Sequence, residues 1–400
     1  MNPLKLAAQL VAVFLVAACN AGGSSNIPAL APKAQIPART IPQWQATRAA
    51  QAACPLQPPP RAHCDALLMN GKHESIAGWQ PADFLAAYKL PAASAGSGEL
   101  VAVVDAYDNP NAAADLAKYR AAFHLGSAKF AKYNEEGLKK DYPATSSGWG
   151  LEEDLDIEMV AAVCPKCTID LFEAKSDFPN DLQIAELSAV RLGAHIVSNS
   201  WGCGPGSNGC VNPEDFAKSD VTFVASAGDY GYGTQAPASL DTVVAVGGTV
   251  LAKSGSQYSE SAWRDSGAGC SDEVKPAWQG DPSCPYRTMN DVAAVARDAA
   301  EYDSFRHHGW IRVSGTSVSA PLIAGIFGVA GDAGGNDGGE RFWDLSKRHQ
   351  RKYFHKVASG LVSGCPASLR GTYLCSAGTG QYRDYSAPAG WGTPDGINAF

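Results

Sequence analysis

Charge is scarce in this chain of 400 residues: Asp, Glu, Lys and Arg make up 18% of it, and neither sign forms a long run. The formal net charge is −8. Such a balance argues against nucleic acid or an anionic membrane surface as the main partner. Beyond the first residues no stretch approaches the roughly 20 apolar residues that a bilayer requires. Ala320 to Ala330 is apolar but reads as a buried helix. There is no internal repeat. A single C-x-x-C occurs, Cys164 to Cys167, with no second such pair to converge on it, so neither zinc nor a thioredoxin-like role is expected. What is present suits a globular protein. The hydrophobic share of 45% can bury a large core, and 41 Gly with 25 Pro imply many loops.

The N-terminus carries an address. Lys5 precedes Leu6 to Ala18, a segment apolar but for Gln9 and too short to span a bilayer. It reads as the core of a signal peptide. It ends Val16-Ala17-Ala18-Cys19, which is similar to a bacterial lipobox, so Cys19 is the expected lipidation site. Residues 1–18 are thus read as a signal peptide and 19–75 as a short leader or tether, stiffened around Pro58, Pro59 and Pro60. With Cys19 set aside, ten cysteines remain, in five neighbouring couples. They are Cys54 and Cys64, Cys164 and Cys167, Cys203 and Cys210, Cys270 and Cys284, and Cys365 and Cys375. Five short disulfides in an oxidising compartment are the simplest reading.

From Gly98 onward, apolar runs alternate with helical patterns. Strands are expected at Leu100 to Tyr107, Thr168 to Phe172, His195 to Trp201, Val221 to Ala227 and Thr242 to Val246. Helices are expected at Pro110 to Phe123, Leu151 to Val163, Leu182 to Leu192 and Ser317 to Ala330. That alternation implies an α/β fold, a mainly parallel sheet with helices on both faces, and a ligand site beyond the strand carboxyl ends.

The sharpest motif is Ser314-Gly315-Thr316-Ser317-Val318-Ser319-Ala320-Pro321. A turn of small residues delivers Ser317 to a helix start, where its hydroxyl is exposed and unpaired N–H groups can face an oxyanion. A serine that merely caps a core helix is the plain alternative. No histidine base announces itself: His124 lies on a helix, His195 opens a strand, and His307 and His308 lie in a hairpin. The helix Leu151 to Val163 offers another base. Leu151, Leu155, Met159, Ala162 and Val163 form an apolar arc, and Glu152 and Asp156, four apart, project into its middle. Asp154 and Glu158 project to the opposite side, expected to face solvent, with Glu153 at the margin. Stacked, partly desolvated carboxyls acquire raised pKa values, which suits a general base and its helper. Asp229, in Ala225-Ser226-Ala227-Gly228-Asp229, follows a strand and is placed at the cleft.

These segments resemble those of the sedolisins, or serine-carboxyl peptidases (peptidase family S53), relatives of the subtilisins, which use a His-Gly-Thr-His base. The resemblance runs from about residue 75 to 400. It includes Val197-Ser198-Asn199-Ser200-Trp201-Gly202, Ala245-Val246-Gly247-Gly248-Thr249 and Trp391-Gly392-Thr393-Pro394-Asp395. It implies a subtilisin-like fold in a single large catalytic domain, residues 76–400. It also implies Ser317 as nucleophile, Glu152 as base, Asp156 as its helper and a protonated Asp229 as oxyanion donor. Ser200, Trp201 and Gly202 are the implied substrate-binding segment. The expected activity is an exported, lipid-anchored, monomeric serine endopeptidase working on polypeptides at acidic pH. The alternatives are another serine hydrolase such as an esterase, or an inactive peptidase-like binding lipoprotein. Two departures stand out. The leader is shorter than the folded prosegment usual in the family. Calcium is expected from the family, but its site is altered: Lys356-Val357 replaces an acid pair, and beyond Gly378 and Gly380 the second acid is displaced to Asp384. No cofactor is therefore expected to be required.

Overall fold

The strand Leu100–Ala106 (β1) is buried along Val101 to Ala106. Successive side chains of a strand point to opposite faces, so both faces of the sheet must be covered. The computed structural model describes residues 42–47, 49–71, 75–91, 99–204, 206–331, 338–349 and 352–400. The expected signal segment, Cys19 and the first part of the leader lie outside them.

Around β1 run Phe130–Asn134 (β2), Thr168–Ala174 (β3), Ile196–Asn199 (β4), Thr222–Ser226 (β5), Val243–Ser254 (β6), Gln257–Ala262 (β7) and Val292–Val295 (β8). The order across the sheet is β7-β6-β5-β4-β1-β3-β2, with β8 also pairing to β6. All pairs are parallel except β6 with β7. The helices are Ala112–Ala122 (α1), Ser147–Val163 (α2), Pro179–Arg191 (α3) and Thr316–Ala330 (α4). α2 begins where the Ser146 side chain accepts the Trp149 N–H. α4 stops at Gly331, whose φ of 70° suits a left-handed cap. α4 lies against α2 and the sheet, and α3 packs on β1 and β3. The α/β architecture and its element order agree with the sequence. Among the described residues no helix is long and apolar enough to cross a membrane.

All five expected disulfides form: Cys54–Cys64, Cys164–Cys167, Cys203–Cys210, Cys270–Cys284 and Cys365–Cys375. His307 and His308 lie in the turn of a hairpin made by Ala299–Asp303 and Gly309–Ser314.

Two expectations need correction. The leader is not a free spacer over residues 42–71. Ala50–Ala52 pairs with Leu67–Met69, which continues onto Val313 and Ser314 of the hairpin, while Cys54, Ala62, Cys64 and Ala66 join the main core. Short strands interrupted by prolines gave it the look of a tether. Nor do Asp154 and Glu158 face solvent, with Glu153 at the margin: all three are fully buried, like Glu152 and Asp156. Helical periodicity assumes one wet face, whereas α2 is covered by α1, α4 and the hairpin together.

The acids are housed rather than solvated. Glu153 accepts the Asn109 N–H at 3.1 Å, and Glu158 accepts the Tyr302 N–H at 3.0 Å. Asp154 faces Asp115 and Asp303. Burial pushes Glu153, Asp154 and Glu158 well up, and the neighbours Glu173, Asp115 and Glu301 push further. Burial also raises Glu173 and Glu186 to about 8. An acid with a raised folded pKa holds its proton more tightly in the native state than in the unfolded one. Its stabilising effect is complete below the unfolded value, near ~4, and is lost as pH climbs through the folded value. The melting temperature should therefore decline from about pH 4.5 toward pH 8, as a calorimetric scan will show. A rise across that interval would contradict the burial of these acids.

Candidate active site

Ser317 is the second residue of α4, so its N–H is among those the helix leaves unpaired. It is completely buried. The preceding Gly315 adopts φ 135°, a backbone that side chains rarely allow, and a Cβ there would lie 2.0 Å from the Asp65 carbonyl and 2.7 Å from Asp229 Oδ2. The motif's glycine thus brings three groups to one point. The Thr316 N–H and hydroxyl donate to Asp229 Oδ1 at 2.8 and 3.0 Å, leaving Oδ2 without a hydrogen bond. The Ser317 hydroxyl donates to the Ser200 carbonyl at 3.2 Å.

α2 packs on α4 and brings in Glu152 and Asp156. The carboxyl oxygens of both are buried without a hydrogen bond of good geometry. Burial raises Glu152 well above the ordinary carboxyl range, Asp156 and Asp105 raise it further, and Ser317 acts the other way as a hydrogen-bonding neighbour. Asp156 is raised by burial and Asp105, with Ser200 opposing. Asp229 is raised by burial and then by Asp65, with Thr316 opposing. The three acids and the serine singled out in the sequence, Glu152, Asp156, Asp229 and Ser317, therefore converge, flanked by Ser200.

Two participants escaped the sequence reading. Asp105 is the last residue but one of β1, and burial lifts it to about 8. A lone acid closing the apolar run Leu100 to Val104 was its signal. Asp65 is the second. His63–Cys64 pairs antiparallel with Trp201–Gly202, His63 opposite Gly202 and Cys64 opposite Trp201. The Asp65 N–H then donates to the Ser200 carbonyl at 3.1 Å, and the Asp65 carbonyl accepts the Ser317 N–H at 3.1 Å. The leader lies along the cleft as an extended strand. Its entry is fixed by Trp44, whose Nε1 donates to the Asp229 carbonyl at 3.0 Å, and by the Arg61–Asp177 ion pair.

The altered calcium position lies elsewhere. Lys356 Nζ sits 2.6 Å from Asp384 Oδ1. Val357 is buried, and Gly378 turns against the Ala358 carbonyl while Gly380 turns in open space. An ammonium where calcium would want a carboxylate does not fit the ion.

The model of the subtilase family matches residues 152–391, more than half of the chain. Kumamolisin of Bacillus sp. (strain MN-32) is 28% identical over 291 residues, 62% of this chain and 51% of its own length. Sedolisin of Pseudomonas sp. (strain 101) is 25% identical over 366 residues, 80% of this chain and 60% of its own. The chain thus spans half to three-fifths of these relatives. Among solved structures, Pseudomonas sedolisin, a serine-carboxyl proteinase complexed with two molecules of pseudo-iodotyrostatin, superposes with TM-score 0.64 at 23% identity. That match covers 80% of this chain and 96% of the other. Sphericase gives TM-score 0.50 at 16% identity, covering 81% and 99%. At such identities the structures speak for the fold.

The crowding at Gly315 is directly testable. Gly315→Ala must displace the Asp65 carbonyl or distort the backbone, at about 1–3 kcal/mol. Chemical denaturation should register that loss. Unchanged stability would mean that the leader is not seated against the serine.

Proposed function

The chain belongs to the subtilase family, in its sedolisin branch, and on that premise we propose that it is an acid-acting serine-carboxyl endopeptidase. One observation carries the reading. A peptide carbonyl, that of Asp65, already rests on the Ser317 N–H beside Asp229, where an attacked carbonyl must sit.

In the proposed reaction the Ser317 oxygen adds to the substrate carbonyl while Glu152 takes the hydroxyl proton. The Ser317 N–H and a protonated Asp229 Oδ2 hold the oxyanion. Asp229 Oδ1 is already used by Thr316, so Oδ2 is the oxygen that carries this proton. Glu152 returns its proton to the leaving amine, and water repeats the cycle on the acyl-enzyme. Asp156 and Asp105 sit close enough to raise Glu152 beyond the effect of burial, which strengthens it as a base. Residues Ser200, Trp201 and Gly202 bind the substrate backbone as an added strand, as they hold residues 63–65.

Export is part of the proposal, directed by residues 1–18 and supported by the five disulfides, with lipid on Cys19 as the membrane anchor. Substrates are polypeptides, the working form is a monomer, and no metal is needed.

The pH profile follows from the roles. Rate should rise as the Glu152 and Asp156 unit loses a proton and fall as Asp229 loses its own. Incubation with denatured protein across pH 3 to 8, with the cut sites mapped, should give an acidic maximum. A maximum at pH 8 or above would overturn the mechanism. Asp229→Ala should lower turnover by about 10²–10³, and near-normal turnover would remove Asp229 from the reaction.

Calcium independence is separately checkable. With Lys356 paired to Asp384, a chelator should leave the melting temperature unchanged. A drop of several degrees that Asp384→Ala abolishes would restore a metal to that place.

A further inference from the structure

Resting on the peptidase reading, we infer that Ser226 and Gln235 form the subsite for the side chain on the acyl side of the cut bond. They select a short acid or its carboxamide, aspartate first and asparagine next. The leader supplies the evidence, because its backbone lies in the register a substrate would take. The residue whose carbonyl rests on the Ser317 N–H is Asp65, so its side chain occupies this subsite and Ala66 begins the leaving half.

That side chain is built in. Asp65 is 1% exposed, and its Oδ2 accepts from Ser226 Oγ and from Gln235 Nε2, each at 2.6 Å. Its Oδ1 faces His63 Nε2 at 3.3 Å, a group of the same strand. Two fixed donors converging on one oxygen match a carboxylate or a carboxamide oxygen. An apolar side chain would leave both donors buried and unpaired.

The pocket is also short. Gln235 lies between Gly202 and Gly228, where a Cβ would fall 2.2 and 3.0 Å from its amide. The two glycines make room for Gln235, which floors the space that a larger side chain would need. Gln235 is 1% exposed and also approaches the Ser226 carbonyl through Nε2 at 3.4 Å. Its position is therefore set by its surroundings and not by the occupant alone.

The bond first presented for cutting is the chain's own Asp65–Ala66 peptide. Its hydrolysis forms the Ser317 ester of the Asp65 carbonyl and frees the Ala66 amine with a proton from Glu152. Water then splits the ester to give the Asp65 carboxylate and restores Ser317.

The full-length chain, with Asp65→Asn, Asp65→Leu, Gln235→Leu, Ser226→Ala and Ser317→Ala, is held at about pH 4.5 with a denatured bystander protein. All N-termini are then read after unfolding. An Ala66 terminus should appear in the wild type and Asp65→Asn, slow by at least about 10-fold in Asp65→Leu, and be absent from Ser317→Ala. Bystander cuts should fall after Asp and Asn, and Gln235→Leu should shift them toward apolar residues. Ser226→Ala, a smaller change, provides the same readout if Gln235→Leu does not fold. Equal rates for Asp65 and Leu at that position, or bystander cuts without preference for Asp and Asn, would overturn the subsite while leaving the peptidase intact. No Ser317-dependent cutting of either chain would instead sink the peptidase reading beneath it.

Discussion

Burial of the carboxyl groups of α2 is the constraint on which the remaining chemistry depends. The helix is buried from Trp149 to Val163, and Lys132 pairs with Glu173 and Asp108, which lie outside it. Removing charge from water is so unfavourable that such groups keep their protons to higher pH instead. Under the proposed mechanism, the burial that raises Glu152 as a base is the same burial that ties the fold's stability to low pH. The proposed catalytic carboxyls and the structural ones share one helix and one physical cause.

The second organising feature is the start of α4. The N–H groups that the helix itself leaves without a partner are met by Asp229 and by the Asp65 carbonyl, with the Ser200 carbonyl beside the serine hydroxyl. A neutral carboxyl can donate where an ionised one would repel an oxyanion. Burial and the nearby Asp65 both raise Asp229 and so favour its neutral form. On the proposed mechanism, a side chain of the bound strand thus assists the group that would act on its own carbonyl.

Much of this was legible in the sequence because it is local. Ser317 announced itself through a short motif, and Glu152 with Asp156 through helical spacing. The strands were readable because Val101 to Val104 and Phe223 to Ala225 are apolar runs of strand length. What was not legible depends on distant cover. Nothing in the periodicity of α2 could reveal that the hairpin at 299–314 and α1 would close over Asp154 and Glu158. Asp65 was hidden for a related reason. Two paired residues, His63 and Cys64, give no strand signal, and their partners lie some 140 positions away. The couple Cys54 and Cys64 was a sign of order in the leader that its reading as a tether left unused.

The placement of the short strands has a consequence for what a cut would achieve. Ala50–Ala52 lies upstream of Asp65 and Leu67–Met69 downstream, yet the two are hydrogen-bonded neighbours, and Ala53 N–H also donates to the Ala66 carbonyl. The Cys54–Cys64 bridge braces the intervening loop within the upstream piece. A scission between Asp65 and Ala66 would therefore leave its two new ends clamped together at high effective concentration. The freed amine would stay beside the ester it had just left, so resealing would compete with hydrolysis. Cutting and release would become separate events, with the second governed by how tightly the sheet around residues 50–69 holds.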